Sequence, residues 1–334
     1  MEKRGESLPR LLAIVGPTGV GKSDFGVELA LRYDGEVISA DSMQVYRGMD
    51  IGTAKLSREE MRGVPHHLID LVDPDQEFSV AEYHKYATEA VDAVLAKGRL
   101  PVLVGGTGLY VRTLVEDMLF PDPGADWELR KKLEAEAAQH GNAYLHGRLA
   151  QVDPEAAAKL HPNDLRRVIR ALEVYTRTGA PISVLQAASR NKPAKYDLLI
   201  IGLTCDRQEL YRRIDLRVDR MIAAGLVDEV RALLERYPPG LTAMQALGYK
   251  EIAGYLDGRY SLDDAIELLK RETRRYAKRQ YTWFRRDKRV IWVDLGSFST
   301  KAEAFRYLTQ IIEGRWRDLA NRSRLDDQTV KSLN

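Results

Sequence analysis

The run Leu11-Leu12-Ala13-Ile14-Val15-Gly16-Pro17-Thr18-Gly19-Val20-Gly21-Lys22-Ser23 decides the fold. Its first five residues form a short apolar stretch that reads as a buried strand. Gly16 to Ser23 match G-x-x-x-x-G-K-[ST] in full. Phe25, Val27, Leu29 and Ala30 then open a helix. In such a strand–loop–helix unit the glycines let backbone N–H groups turn toward one anionic centre. The helix N-terminus adds the positive end of its dipole. Lys22 would neutralise phosphate oxygens and the Ser23 hydroxyl would reach a Mg²⁺ ion. The motif predicts a phosphorylated ligand without saying which one.

Outward from this unit, strand and helix signals alternate to about residue 114. Glu36-Val37-Ile38-Ser39-Ala40 reads as a strand ending at Asp41. A helix is expected from Ser79 to Lys97, with Ser79 and Glu82 spaced as a capping box. Pro101-Val102-Leu103-Val104 is a further apolar strand closed by Gly105-Gly106. This rhythm predicts an α/β fold with a parallel, P-loop NTPase-like sheet. The character changes at Pro121-Asp122-Pro123-Gly124, after which an Ala-, Leu-, Glu- and Arg-rich stretch without strands reads as a helical insertion. Leu198 to Leu203 restores a strand, helices follow from Asp206 to Tyr237 with a break at Gly225, and another helix begins near Leu262. Val290 to Val293 reads as the last strand. The expected division is a core of residues 1–120 and 196–322, an insertion domain of residues 121–195, and a flexible tail of residues 323–334.

Among 334 residues, 44% are hydrophobic, 30% are charged, and Cys205 is the only cysteine. That composition is of the soluble globular kind and excludes an internal disulfide or a cysteine-based zinc module. Without a signal-type or membrane-spanning apolar run, a cytoplasmic monomer that does not engage membranes is expected. The net charge is only +2, yet Lys270 to Arg289 holds ten Lys or Arg residues against Glu272 and Asp287, a local balance of +8. Tyr276, Tyr281, Trp283 and Phe284 are interleaved with these cations, a composition suited to phosphates and unstacked bases. Packing of Trp283 or Phe284 against the sheet is the competing reading. An anionic macromolecule is the expected partner.

An NTPase needs an apolar strand ending in Asp for its metal. Val102 to Val104 ends instead in Gly105-Gly106-Thr107-Gly108, and Leu68-Ile69-Asp70, beside His66 and His67, is a weaker substitute. The two histidines lack metal-site spacing and read as loop-ordering residues. Asp41-Ser42-Met43-Gln44-Val45-Tyr46 follows the second strand, at the edge where open α/β sheets bind ligands. From the residues alone, Asp41 and Ser42 serve equally well as turn formers. A small-molecule kinase using ATP and a non-catalytic RNA-binding module both stay open at this point.

Eight stretches in order carry a resemblance over roughly residues 10 to 295. They are Gly16 to Ser23, Asp41 to Tyr46, Gly52-Thr53-Ala54-Lys55, Pro65 to Asp70 and Gly105 to Tyr110. Arg166 to Glu173, Ala246 to Glu251 and Tyr276 to Phe284 complete the series. Together they resemble the tRNA dimethylallyltransferase family, which modifies the adenosine next to the anticodon. Eukaryotic members often add a C-terminal zinc finger. With one cysteine this chain resembles the bacterial form.

The resemblance implies dimethylallyl diphosphate and the tRNA anticodon stem-loop as substrates, with Mg²⁺ as cofactor. It implies that Gly16, Pro17, Thr18, Gly19, Val20, Gly21, Lys22, Ser23 and Arg217 hold the diphosphate. Ser23 would also hold the metal. Asp41 would be the general base, Thr107 would lie between the two substrates, and Lys22 would stabilise the leaving group. Asp41, Ser42, Met43, Gln44, Thr107, Arg130, Arg166, Arg167, Val168, Ile169, Arg170, Lys278 and Arg279 would contact tRNA. Arg213 and Arg220, in step with Arg217 on one helix face, read rather as a solvated surface. A relative that prenylates free adenine nucleotides is the nearest alternative, and it would need fewer of the arginines.

Overall fold

The computed structural model describes residues 8–118, 126–190 and 193–319. The Pro121 to Gly124 boundary and the 323–334 tail lie outside the described residues. In chain order the elements are β1 (Arg10–Val15), α1 (Lys22–Arg32), β2 (Gly35–Ala40), α2 (Arg58–Met61), β3 (His66–His67), α3 (Val80–Ala96), β4 (Leu100–Gly105) and α4 (Gly108–Val115). Five helices follow: α5 (Trp127–His140), α6 (Asn142–Val152), α7 (Pro154–Lys159), α8 (Leu165–Thr178) and α9 (Ile182–Arg190). The chain continues with β5 (Asp197–Thr204), α10 (Arg207–Ala223), α11 (Leu226–Leu234), α12 (Tyr249–Leu256), α13 (Leu262–Phe284), β6 (Val290–Asp294) and α14 (Lys301–Arg315).

The backbone divides into two compact units. One comprises Met1–Phe78, Lys85–Val111 and Tyr196–Asn334, the other Ser79–His84 with Arg112–Lys195. The first contains a six-stranded sheet, parallel throughout, in the order β3-β2-β4-β1-β5-β6. Parallel sheets are covered on both faces, so their strands are near-continuous apolar runs. β2 and β4 accordingly have every residue buried. Leu12, Ile14, Val102, Val104, Leu199 and Ile201 meet Phe25 and Leu29 of α1 and Leu308 and Ile312 of α14 in the main core. With the loop after β1 wrapping the start of α1, this is a P-loop NTPase-like α/β core. A second cluster joins Val45 and Met49, from the loop after β2, to Val230, Leu233, Tyr249, Ile252 and Leu269.

The short β3 is the strand that sequence periodicity does not reveal. Only His66 and His67 pair with β2, and Leu68 and Asp70 then turn to φ of 64° and 54°. Leu68-Ile69-Asp70 is therefore a turn, which removes it even as a weaker substitute for a strand ending in a metal-binding Asp. The Asp70 carboxylate pairs with Lys55 instead.

In the second unit, α8 repeats apolar residues at Leu165, Val168, Ile169 and Leu172, the spacing of one helix face. Val168, Ile169 and Leu172 pack with Leu133, Ala137, Leu145 and Leu149 of α5 and α6. The buried Asp153 joins two helices by accepting the N–H groups of Ala156 at 2.9 Å and Ser183 at 3.0 Å. The Ser79–Glu82 capping box is present, with N–H to side-chain distances of 2.7 and 3.2 Å.

One charge stands inside the sheet. Glu36 is fully buried in β2 and receives His67 Nε2 at 2.7 Å, Lys97 Nζ at 3.0 Å and Arg99 Nη1 at 2.8 Å. Burial pushes its carboxyl up, but the hydrogen bonds from His67, Arg99 and Lys97 outweigh it and hold it at about 2. Because the folded value lies below the unfolded one, the stabilisation is complete above about pH 5 and is lost as pH falls toward 2. Glu36→Gln is expected to cost about 2 kcal/mol at pH 7, with the gap from the parent closing in acid. Urea melts of both proteins across that pH range measure it.

Candidate active site

The site is built on the C-terminal ends of β1, β2 and β4, where successive parallel strands deliver their loops to one edge. From β1 comes the phosphate loop. Gly21, at φ 101°, caps α1 in a conformation that an L side chain resists. α1 therefore begins at Lys22, and its first-turn N–H groups have no intrahelical acceptor. Lys22 folds back and donates Nζ to Pro17 O at 2.8 Å. Burial first, and then the charge of Arg217, pull its ammonium down to about 7 against the opposing influence of Asp41. Arg217, from α10, is likewise lowered by burial and raised by Asp41. Of the three arginines in step, Arg217 alone turns into the site. Arg213 pairs with Glu209 at 2.6 Å and Arg220 is exposed.

From β2 comes Asp41, whose Oδ1 accepts the Met43 N–H at 2.9 Å. No hydrogen bond reaches Oδ2 among the described residues. From β4 comes Thr107. Its N–H donates to Ala40 O at 3.0 Å, and its Oγ1 accepts the Ser42 N–H at 3.1 Å and lies 3.4 Å from the Ser42 hydroxyl. The Asp41-Ser42 turn is thus locked to the Thr107 turn. Tyr276 of α13 lies beside Thr107 and Gln280, and burial, with Asp41 next, raises its phenol to about 12.

Gln44 behaves differently from expectation. Its Oε1 accepts the Ser39 hydroxyl at 3.0 Å and its Nε2 donates to Thr53 O at 3.3 Å. The amide therefore braces the Gly52-Thr53-Ala54-Lys55 loop rather than facing outward as a free adenine-reading group. That loop is anchored in turn by Glu229. Its carboxylate accepts the N–H groups of Asp50, Ile51 and Gly52 at 3.0, 2.8 and 3.1 Å, and the Tyr249 hydroxyl at 2.7 Å. Lys55 donates to Tyr46 O at 2.6 Å and to Asp50 at 2.8 Å. Met43 packs on the second cluster.

On α13, Lys278, Arg279, Trp283 and Arg286 are exposed and share a shallow groove, whereas Phe284 is buried. In the helical unit, Arg166 and Arg167 are exposed. Val168 and Ile169 face the core, at 0% and 4% exposure, so their expected side-chain contact with RNA is corrected. Arg130 and Arg170 converge on the fully buried Glu173. Arg130 is bidentate at 2.9 Å for both bonds, Arg170 lies at 2.6 Å, and the Asp126 N–H adds a bond at 2.7 Å. Arg130 also stacks over Trp127, 4.8 Å from the ring centroid. Both guanidinium groups hold the unit together, a duty that RNA contact by the same atoms would disrupt. Sequence reading missed Gln280, Glu229 and Glu173, whose partners, Arg170 of Glu173 apart, lie 20 or more positions away along the chain.

Comparison with known proteins bears on this arrangement. The IPP transferase family model matches residues 44–287. A tRNA dimethylallyltransferase from Symbiobacterium thermophilum is 56% identical over 306 residues, covering 92% of this chain and 96% of its own. One from Heliobacterium modesticaldum is 57% identical over 282 residues, covering 84% and 88%. Among solved structures, the full-length tRNA isopentenylpyrophosphate transferase of Bacillus halodurans is 48% identical. It covers 95% of this chain and 99% of its own at a TM-score of 0.69. A eukaryotic dimethylallyltransferase solved acting on tRNA matches at 30% identity and a TM-score of 0.79, covering 92% and 80%.

The lowered Lys22 has a measurable consequence for anion binding. Below about pH 7 the ammonium is already charged when an anion arrives, whereas above it a proton must be taken up first. Inorganic diphosphate is expected to bind with proton uptake above pH 7, and with affinity falling by up to about tenfold per pH unit there. Calorimetry in buffers of different ionisation enthalpy reads the uptake. Lys22→Arg provides the permanently charged reference, and equal proton uptake by the two proteins would contradict a neutral Lys22.

Proposed function

This chain belongs to the tRNA dimethylallyltransferase family and is a prenyl transferase, and we propose how its residues carry out the transfer. The donor is dimethylallyl diphosphate and the acceptor is the exocyclic amine of the adenosine 3′-adjacent to the anticodon. The observation that carries this reading is the meeting of Lys22, Arg217 and Asp41 beside the Thr107 turn. Two cations beside one carboxylate suit a departing polyanion and a proton-losing amine.

The amine attacks the first carbon of the allyl chain, a C–N bond forms as the C–O bond breaks, and diphosphate leaves with the bonding pair. Lys22, Arg217 and the N–H groups of Gly19 to Ser23 stabilise that anion as its charge develops. The adenine amine is a weak nucleophile because its lone pair is delocalised, and Asp41 Oδ2 accepts its proton as the bond forms. Thr107, already bonded to Ser42, offers its hydroxyl between donor and acceptor. The base must leave the anticodon stack to reach this depth, and Ser42 and Met43 line its route.

Among the described residues no cluster of three His, Cys, Asp or Glu could hold a metal ion. Ser23 fits Mg²⁺ as a single protein oxygen, the remaining ligands being diphosphate oxygens and water. Bound there, the ion would add positive charge to the leaving group. Arg166 and Arg167 of the helical unit, with Lys278 and Arg279 of α13, supply phosphate contacts. No helix among the described residues is long and apolar enough to cross a membrane. One chain furnishes every group named, which supports a monomer working where tRNA is found, in the cytoplasm.

The test is labelled dimethylallyl diphosphate with Mg²⁺ and unmodified tRNA, in parallel with AMP and ADP. Label is expected in tRNA, and label confined to the free nucleotides would overturn the acceptor assignment. Asp41→Asn is expected to reduce kcat by about 10²- to 10⁴-fold while diphosphate still binds. Near-normal turnover would remove Asp41 as the base. tRNA affinity should fall linearly with salt on logarithmic axes, and Arg166→Ala or Lys278→Ala should each reduce the slope by about 0.7 to 0.9. An unchanged slope would show that the residue meets no phosphate.

A further inference from the structure

Gln280 lies on the inward face of α13 and is only 6% exposed. Both ends of its amide are engaged. Oε1 accepts the Thr18 N–H of the phosphate loop at 2.8 Å, and Nε2 donates to Gly106 O, in the turn that carries Thr107, at 3.0 Å. These partners fix the amide orientation, because a flip would set donor against donor and acceptor against acceptor. The approach is close enough to restrict the neighbour. A Cβ added to Gly106 would stand 2.1 Å from Nε2 and 3.1 Å from Cδ of Gln280. One turn earlier, Tyr276 lies beside Gln280 and Thr107. The exposed Lys278 and Arg279 occupy the intervening positions of the same turn.

We propose that Gln280 is a positioning residue that holds the phosphate loop and the Thr107 turn at one separation, tying the surface of α13 to the spacing between donor and acceptor. This rests on the transfer reaction proposed above. Other side chains fail at this place for definite reasons. Glutamate would set a carboxylate oxygen against the Gly106 carbonyl, and methionine would leave a buried N–H and C=O unpaired. Either change lets two loops drift whose registration the reaction needs, and misplacement by about 1 Å can lower rates by about 10²-fold.

The experiment uses the full chain with Gln280→Met, Gln280→Ala and Gly106→Ala. Gln280→Met is expected to lower kcat by about 10²-fold while KM for both substrates stays within about threefold. Thr18 amide exchange should rise in this variant with the other loop amides unchanged. Gly106→Ala, which crowds the same amide, is expected to lower kcat in the parent and to have little further effect in the Gln280→Ala background. Independent, multiplying effects of the two changes would overturn the proposal. So would a melting temperature that falls while kcat per folded molecule is unchanged. If Gln280→Met does not fold, the parent's own exchange decides, since a Thr18 amide exchanging as fast as an exposed loop amide would equally overturn it. The exchange readings stand whatever the acceptor proves to be, so they separate failure of this role from failure of the proposed reaction.

Discussion

Two cations, Lys22 and Arg217, are half-buried with one carboxylate, Asp41, to offset them. Such an arrangement is unfavourable in isolation, since burial penalises each charge and the cations repel. The scaffold that sustains it is a sheet whose central strands are buried on both faces. The imbalance is also the source of reactivity. With the loop N–H groups and the α1 dipole adding to it, the site is short of negative charge, which suits it to the diphosphate of the proposed reaction. Positive charge already in place once the anion is bound need not reorganise as the C–O bond of the proposed transfer breaks.

The parts of this machine that were legible in the sequence are those written in consecutive residues. The phosphate loop, the Asp41 stretch and the glycine turn after β4 each have a local backbone reason for their composition, and the five longer strands stand out as apolar runs. What stayed hidden depends on distant partners. Gln280 is 262 positions from Thr18 and 174 from Gly106, so no window of sequence contains the interaction. β3 is two residues long, too short for any periodicity, and its register comes from β2. Arg130 and Arg170 looked like surface cations because nothing nearby in sequence announces that Glu173 is buried between them.

The two units use charge in opposite ways. In the helical unit, Glu173 draws Arg130, Arg170 and the Asp126 N–H into one buried knot, and the neighbouring Arg166 and Arg167 remain in solvent. The same α8 run therefore serves cohesion on one side and leaves the arginines proposed to meet RNA in solvent on the other, as an amphipathic helix allows. Glu229 plays a comparable part in the sheet unit. It gathers three backbone N–H groups of the 50–52 loop and, through that loop, steadies Gln44 beside Asp41. Acidic hubs thus set the posture of segments that the proposed reaction uses.

The strand order carries a last consequence. The strand that ends at Asp41 and the strand that leads into the phosphate loop are not neighbours, since β4 runs between them. Adjacent strands are about 4.8 Å apart, so the two axes are separated by roughly 9.6 Å. One intervening strand therefore sets the coarse distance between the two strand ends, and the loops adjust the site only around that value. Side-by-side strands would leave about half that width, too little for the donor and acceptor that the proposed reaction brings together. Topology, settled long before any side chain is chosen, acts here as the gauge of the reaction.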